Sequence, residues 1–450
     1  MKQERFFYSV CRLAIPVALQ CLLQASFSVL DQVMIGQMGS VDVAAVGLAA
    51  KFTSIFTVMV SAVSTVAGIM ISQYLGQKNN GEVRKSLAMN MIGAVGLAVL
   101  FTVLCTMIPT QIMGLYTPDK ETITASAGYM TIVSATFLPV AGATLLSTVL
   151  RCMEKASLPM YASFVAAIIN TALNYLLIFG KFGFPVMGVT GAAIATVIAQ
   201  AVNFLLIFLM YRKYRNSLKV SKDADKSKVR LNWPQYVSML IPILICEFMW
   251  SLGENVYAAI YGHLGTDSTA AMTLLNPIQG LVIGALSGLS QAAGVIVGKL
   301  LGSGDRERAY IASKKLILYG FIGSLFFSVI VVLVKPWYVL LYQVEEPVKL
   351  LAGQIMVAYA MVAPFKVQNM IVGGGVIRSG GKTSYVMAID LIGTWVFGVP
   401  LGLMAAFVFH LSIPYVYFIL SLEECIRFGI SVVVLRRKKW MQSLEATNTP

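Results

Sequence analysis

Among the ionisable side chains inside the long apolar runs of this 450-residue chain, the candidates for chemistry are Asp31, Glu247, Glu254, Lys366, Asp390, Glu423, Glu424 and Arg427. A charge in such surroundings is costly to hold, and where one occurs it marks an ion or substrate path or a buried pair. Asp31 is the strongest of them. Gln20, Gln24, Ser28 and Asp31 are spaced by four, four and three residues, which puts them on one helical face. A polar stripe on an otherwise apolar helix faces protein or water, not lipid. A carboxylate there can take up and release a proton or a sodium ion, because burial favours its neutral form and a nearby cation its charged form. The other reading of Asp31 is a structural aspartate at a helix end.

Two further stripes accompany it. Asn170 and Asn174 lie four apart, and Thr196, Gln200 and Asn203 share a face of the following run. Amides and hydroxyls so placed either bond neighbouring helices together or, with Asp31, form an oxygen-rich pocket that suits a hard cation. Farther on, Glu247 and Glu254 lie seven apart and share a face with Trp250 and Ser251. Lys366 and Asp390 either neutralise them by pairing or line a cavity with them. The polar residues assigned to a substrate cavity are therefore Gln20, Gln24, Ser28, Gln200, Asn203, Glu254, Gln279, Lys366 and Asp390. Pro16, Pro242 and Pro277 fall inside apolar runs and are read as hinges, since proline removes a helix hydrogen bond.

Other signals carry less. The run VIRSGGKTS (376–384) approaches a nucleotide-binding loop, but Val376 stands where the first glycine belongs and no strand precedes it, so it reads as a short turn. GGG at 373–375 reads as helix packing or a kink. The six cysteines show no metal or redox spacing, and the two histidines have no partners at useful distance. No nucleophile, metal or paired-carboxylate signature points to an enzyme, and no cofactor is expected.

The elements that position these residues follow from composition. Hydrophobic residues make up 58% of the chain, charged residues only 12%, and the mean hydropathy is +0.78. Soluble chains carry about 25% charged residues, so lipid is the solvent here. Apolar runs at 13–36, 43–75, 87–110, 123–150, 158–180, 188–211, 234–261, 269–300, 316–335, 350–377, 384–409 and 414–435 make twelve spans of membrane-crossing length. The second and eighth are the longest. The first run continues past any cleavage site and reads as a span rather than a leader. About 27 of the 34 Lys and Arg fall at the termini and in alternate loops, which places both termini in the cytoplasm. This pattern, and not nucleic acid, accounts for the net charge of +14.

The two halves repeat. At an offset of 226 residues Pro16 meets Pro242, Gly36 meets Gly262, Gly68 meets Gly294, and Leu75-Gly76 meets Leu301-Gly302. With a one-residue gap, Arg151 and Lys155 meet Arg378 and Lys382. Six spans per half give parallel repeats about an axis along the membrane normal, an arrangement built to rock around a central cavity. The expected domains are an N-lobe at 1–211, a cytoplasmic linker at 212–233, a C-lobe at 234–435 and a cytoplasmic tail at 436–450.

The chain resembles the MATE (multidrug and toxic compound extrusion) transporters over nearly its whole length. The resembling stretches are DQVMIGQMGSVDVAAVGLA (31–49), ISQYLGQKNNGEVRKS (71–86), VLRCMEKAS (149–157), IINTALNYLLIF (168–179), GVTGAAIATVIAQ (188–200) and VIRSGGKTS (376–384). The resemblance implies an all-α membrane protein, a V-shaped bundle of two six-helix lobes, exporting small organic molecules, cationic or not, driven by an inward proton or sodium gradient. It implies the prokaryotic branch with a first-helix aspartate, hence a bacterial plasma membrane and a monomer. Asp31 matches the coupling aspartate, and Asn170, Ala192 and Thr196 match three members of the family's cation pocket. Asn174 stands where the family has a second acid, which lowers the site's charge and favours a proton over sodium. Trp250 and Asn255 occupy the places of the family's C-lobe glutamate, so that role passes to neither Glu247 nor Glu254. The rival readings are a flippase for a lipid-linked or amphiphilic substrate in the same superfamily, and a membrane enzyme or channel.

Overall fold

A computed structural model describes residues 3–38, 40–215, 232–342 and 344–444. Most of the expected linker, 216–231, and the last six residues of the expected tail lie outside the described residues. Those described form α-helices and short turns with no strand among them. In chain order the long helices are α1 (Gln3–Ile35), α2 (Ser40–Gly76), α3 (Asn80–Met107), α4 (Lys120–Cys152, with a 3-10 turn at Ser134–Thr136), α5 (Ser157–Phe179) and α6 (Gly188–Tyr214). They continue with α7 (Trp233–His263), α8 (Thr266–Gly302), α9 (Arg306–Leu340), α10 (Glu346–Gly380) and α11 (Thr383–Val408). These eleven are long and apolar enough to cross a membrane. A twelfth, α12, is built of two pieces, Ile413–Ser421 and Glu423–Arg437, and carries three of the buried charges.

The helices begin where local chemistry starts them. Asn79 caps α3 by accepting from the Glu82 N–H, and Asp305, its mate at the 226-residue offset, caps α9 by accepting from the Arg308 N–H. As expected, α2 and α8 are the longest, at 37 residues each. At 1.5 Å per residue that is about 55 Å, far more than the hydrocarbon thickness. Pro16, Pro242 and Pro277 lie inside continuous helices α1, α7 and α8.

Contacts group the chain into two compact units. One comprises Leu19–Ile71 and Asn79–Leu231, the other Met1–Ala18, Ser72–Lys78 and Asn232–Pro450. The start of α1 and the last turn of α2 thus pack with the C-terminal half of the sequence. In the N-terminal unit α5 lies along α6, α4 packs on α3 and α6, and the rings of Phe56 and Phe137 meet at 4.4 Å in its core. In the C-terminal unit α10 runs beside α8, α9 and α12. Its lower half widens to a π-helix at Met370–Ile377, where the three glycines sit, and α11 does so at Ile392–Gly398 and Met404–Val408.

The internal repeat is visible in one contact of the C-terminal unit. Gly76 of α2 lies against the backbone of Lys299, and Gly302 of α8 lies against the backbone of Gln73. Each residue is the other pair's mate at the 226-residue offset, so the two helix ends cross reciprocally. A β-carbon on either glycine would overlap a backbone carbonyl, which is why both positions are glycine.

Candidate functional site

In the N-terminal unit α5 and α6 lie side by side and present Asn170, Asn174 and Thr196 to Asp31 of α1. The Asn174 amide donates to Asp31 Oδ1 at 2.9 Å. The Asn170 amide, assigned from its partners, turns its nitrogen to Asp31 and donates to both carboxylate oxygens at 3.0 Å. Turned round, its oxygen would face the carboxylate at that distance, an arrangement that requires a proton or cation between the two. Thr196 donates to the Ala192 carbonyl at 2.9 Å and lies 3.5 Å from the Asn170 amide. Of the expected cation set, Asp31, Asn170, Asn174 and Thr196 thus lie together, and Ala192 is tied to them through the Thr196 hydroxyl. Tyr129 of α4, which the sequence did not single out, hydrogen-bonds Thr196 and stands within reach of the Asp31 charge.

One atom of this group is left over. The side-chain oxygen of Asn174 is buried without a partner. Buried polar atoms are almost always satisfied, so an orphaned acceptor beside a carboxylate suits a bound cation or a proton carried on the acid. With its two amides turned round, the group would offer only oxygen atoms, as a hard cation requires.

The rest of the α1 stripe separates in environment. Gln24 and Ser28 are exposed. Gln20 is only 6% exposed and does not line open space as expected. Its amide donates to Ser163 at 2.8 Å and its oxygen accepts from Arg151 at 3.1 Å. Gln200 and Asn203 continue the α6 face beyond Thr196, and the Asn203 amide oxygen is buried without a partner.

The C-terminal unit holds a second polar group. Arg378, the repeat mate of Arg151, reaches α7 at the position equivalent to Gln20: it lies 3.5 Å from Cys246 and from Glu247. Cys246 donates to Asp390 at 2.8 Å. Arg427 of α12 bonds Asp390 on one side and stands 3.5 Å from Glu424 on the other. Asn369 donates to the Glu424 carboxylate at 2.8 Å, and Tyr257 donates to Glu423 at 2.8 Å. Gln279 donates to the Tyr417 hydroxyl at 2.9 Å.

Of the two readings of Lys366 and Asp390, pairing with Glu247 and Glu254 is not what the ion pairs show. Lys366 and Asp390 do not neutralise Glu247 and Glu254. The α7 helix meets the turn after α10 at Cys246 and Glu247, so Arg378 takes Glu247, and α12 packs against α10 and α11, so Arg427 takes Asp390. Lys366 makes no direct ion pair among the described residues and lies closest in influence to Glu424 and Glu254. Two cavities flank it. One, of about 280 Å³, is lined by Glu254, Tyr257, Tyr417, Glu423 and Glu424 among others. The other, of about 260 Å³, is lined by Trp250, Arg378, Asp390 and Arg427, and shares Lys366 and Glu424 with the first. Glu254, Gln279, Lys366 and Asp390 thus line these cavities. Arg378 was missed because it sits at a helix end in sequence and only folding turns it toward Cys246 and Glu247.

Comparison with known proteins shows the family. The MatE family profile matches residues 16–176 and 242–404, one match per repeat. The chain is 22% identical over 442 residues to the "Uncharacterized transporter YisQ" of Bacillus subtilis, covering 97% of this chain and 95% of that one. It is 24% identical over 437 residues to the "Probable multidrug resistance protein NorM" of Thermotoga maritima, covering 95% and 92%. Among solved structures, one described as "Crystal structure of MATE in the bent conformation" superposes with a TM-score of 0.86 at 17% identity, covering 96% of this chain and 94% of that one.

Proposed function

The chain belongs to the MatE family of membrane transporters, and on that premise we propose that it is an antiporter exporting small organic molecules, with Asp31 as the site of the coupling ion. The observation that carries the proposal is the convergence of Asp31, Asn170, Asn174, Thr196 and the Ala192 carbonyl, together with the unpartnered Asn174 oxygen. The ion is a proton in the first instance. Asp31 is the single carboxylate of the group, and two amides that can turn either face toward it serve its charged and neutral forms alike. When Asp31 is ionised both amides donate to it; when it carries the proton, the Asn170 oxygen can accept that proton. Ion uptake at Asp31 and substrate binding then favour opposite conformations, and this reciprocity is the whole of the coupling.

The substrate reading rests on the C-terminal unit. Glu254 and the acid-and-tyrosine wall around it suit an organic amine, whose charge would be held by carboxylates and aromatic faces. The protein would work as a monomer in a bacterial plasma membrane with both termini cytoplasmic, as the distribution of basic residues supports. The test is efflux of a fluorescent organic cation from proteoliposomes under an imposed pH gradient or, separately, a sodium gradient. Wild-type protein should respond to the pH gradient, and Asp31→Asn should fall to background while remaining folded. Gradient-driven efflux by Asp31→Asn would refute the assignment.

A further inference from the structure

The last described residues do not trail away from the bundle. Lys438 adopts a left-handed conformation (φ 57°) that ends α12 and turns the chain back. The Lys438 ammonium lies over the Tyr310 ring of α9 at 4.6 Å. Trp440 is fully buried, its indole donating to the Leu435 carbonyl at 3.2 Å, and Met441 beside it is 5% exposed. From there to Leu444 the chain runs across the ends of α2 and α10.

Its seat is made of motifs that the coupling site leaves unused. Gly380 lies so close to the Trp440 carbonyl oxygen that any β-carbon would collide with it, and Gly381 (φ 76°) receives the Leu444 side chain. These are the two glycines of the run that imitates a nucleotide loop. On the facing side, Gln73 and Gln77 are the polar face of the end of α2. The Gln73 amide donates to Ser379 at 2.6 Å and to the Gln442 carbonyl at 3.2 Å, while its oxygen accepts from the Leu444 N–H at 2.7 Å. Gln77 donates to the Leu444 carbonyl at 2.8 Å and to the Ser443 hydroxyl at 3.2 Å. The strap therefore bonds one helix end of the first repeat to the turn between α10 and α11 of the second.

We propose that residues 438–444 are a latch that fastens the end of α2 to the α10–α11 turn at the membrane face of the C-terminus, and that each transport cycle must release it. Among the described residues its last turn is held by main-chain groups, glutamine amides, the Ser443 hydroxyl and the Leu444 side chain, so it can open without separating ions. The proposal rests on the antiport reading above, in which ion and substrate favour opposite conformations.

Two measurements test it in the full-length protein. Amide hydrogen exchange should show the Leu444 N–H protected in wild type, with protection falling about tenfold or more in Gln73→Ala, which removes three hydrogen bonds. Equal exchange in both proteins would overturn the seat, whatever the transport activity. In the Gln77→Cys/Ser443→Cys protein with the six native cysteines replaced by serine, a short bis-maleimide should cross-link the pair and stop proteoliposome efflux, while each single variant in that background, treated alike, keeps it. Failure to cross-link, or undiminished efflux after cross-linking, would overturn the latch. If the untreated double variant and both single variants showed no gradient-driven efflux, the transport reading would fall instead, and the exchange result would still decide the seat.

Discussion

Asp31 is bonded by two amides and by no positive side chain, and that decides what it can do. A buried carboxylate paired to arginine is fixed in its charged form; one held by amides can gain and lose an ion. The contrast is present in the same chain, where Asp390 is bonded to Arg427. Asn174→Asp would restore a second carboxylate to the Asp31 group, and efflux should then become sodium-dependent, read as a sodium-gradient response that wild type lacks. Removing Arg427 should act on stability. Arg427→Gln leaves Asp390 and Glu424 without their shared cation, a loss of about 3–5 kcal/mol for a broken buried pair. Thermal unfolding in detergent should show a large drop, and Asp390→Asn added to Arg427→Gln should recover part of it. Asp31 and its amide partners were legible in the sequence because helical spacing alone aligns Asn170 with Asn174 and Asp31 with its stripe. The partner of Asp390 was not, because it depends on how α12 packs on α10 and α11, which no spacing within one helix records.

At the scale of the helices, the reciprocal contact of Gly76 and Gly302 carries the argument. Because each glycine faces the backbone around the other's neighbour, Gly76→Val and Gly302→Val should destabilise the protein by similar amounts, about 1–3 kcal/mol each as for overpacking elsewhere. Unfolding midpoints for the two variants should move together; a large effect at one site and none at the other would contradict the reciprocity. The 226-residue offset made these glycines visible as a pair, but not that they touch. The lengths of α2 and α8 were also readable, since continuous apolar runs translate directly into helix. The π-turns in α10 and α11 were not, because widening a helix leaves no mark in composition beyond glycines that packing alone would explain. The strap escaped for another reason: a charged C-terminal segment reads as a solvated tail, and only the burial of Trp440 shows otherwise.

For the whole molecule, the fold follows from apolar runs, basic-residue asymmetry and the repeat, and the matches to MatE proteins agree with it. Fold does not fix function, so the transport scheme has to stand on the sites. If both termini are cytoplasmic, a membrane-impermeant thiol reagent should label cysteines introduced at Asn80 and Ser303 from the inner face alone. The central claim is that substrate binding and ion occupancy of Asp31 oppose each other, and it can be read without any vesicle. Substrate added to purified protein in weakly buffered detergent solution, with a pH dye present, should release up to one proton per molecule bound in wild type and none in Asp31→Asn. Equal proton release from the two proteins, or substrate binding to wild type with no proton released at any pH, would contradict it.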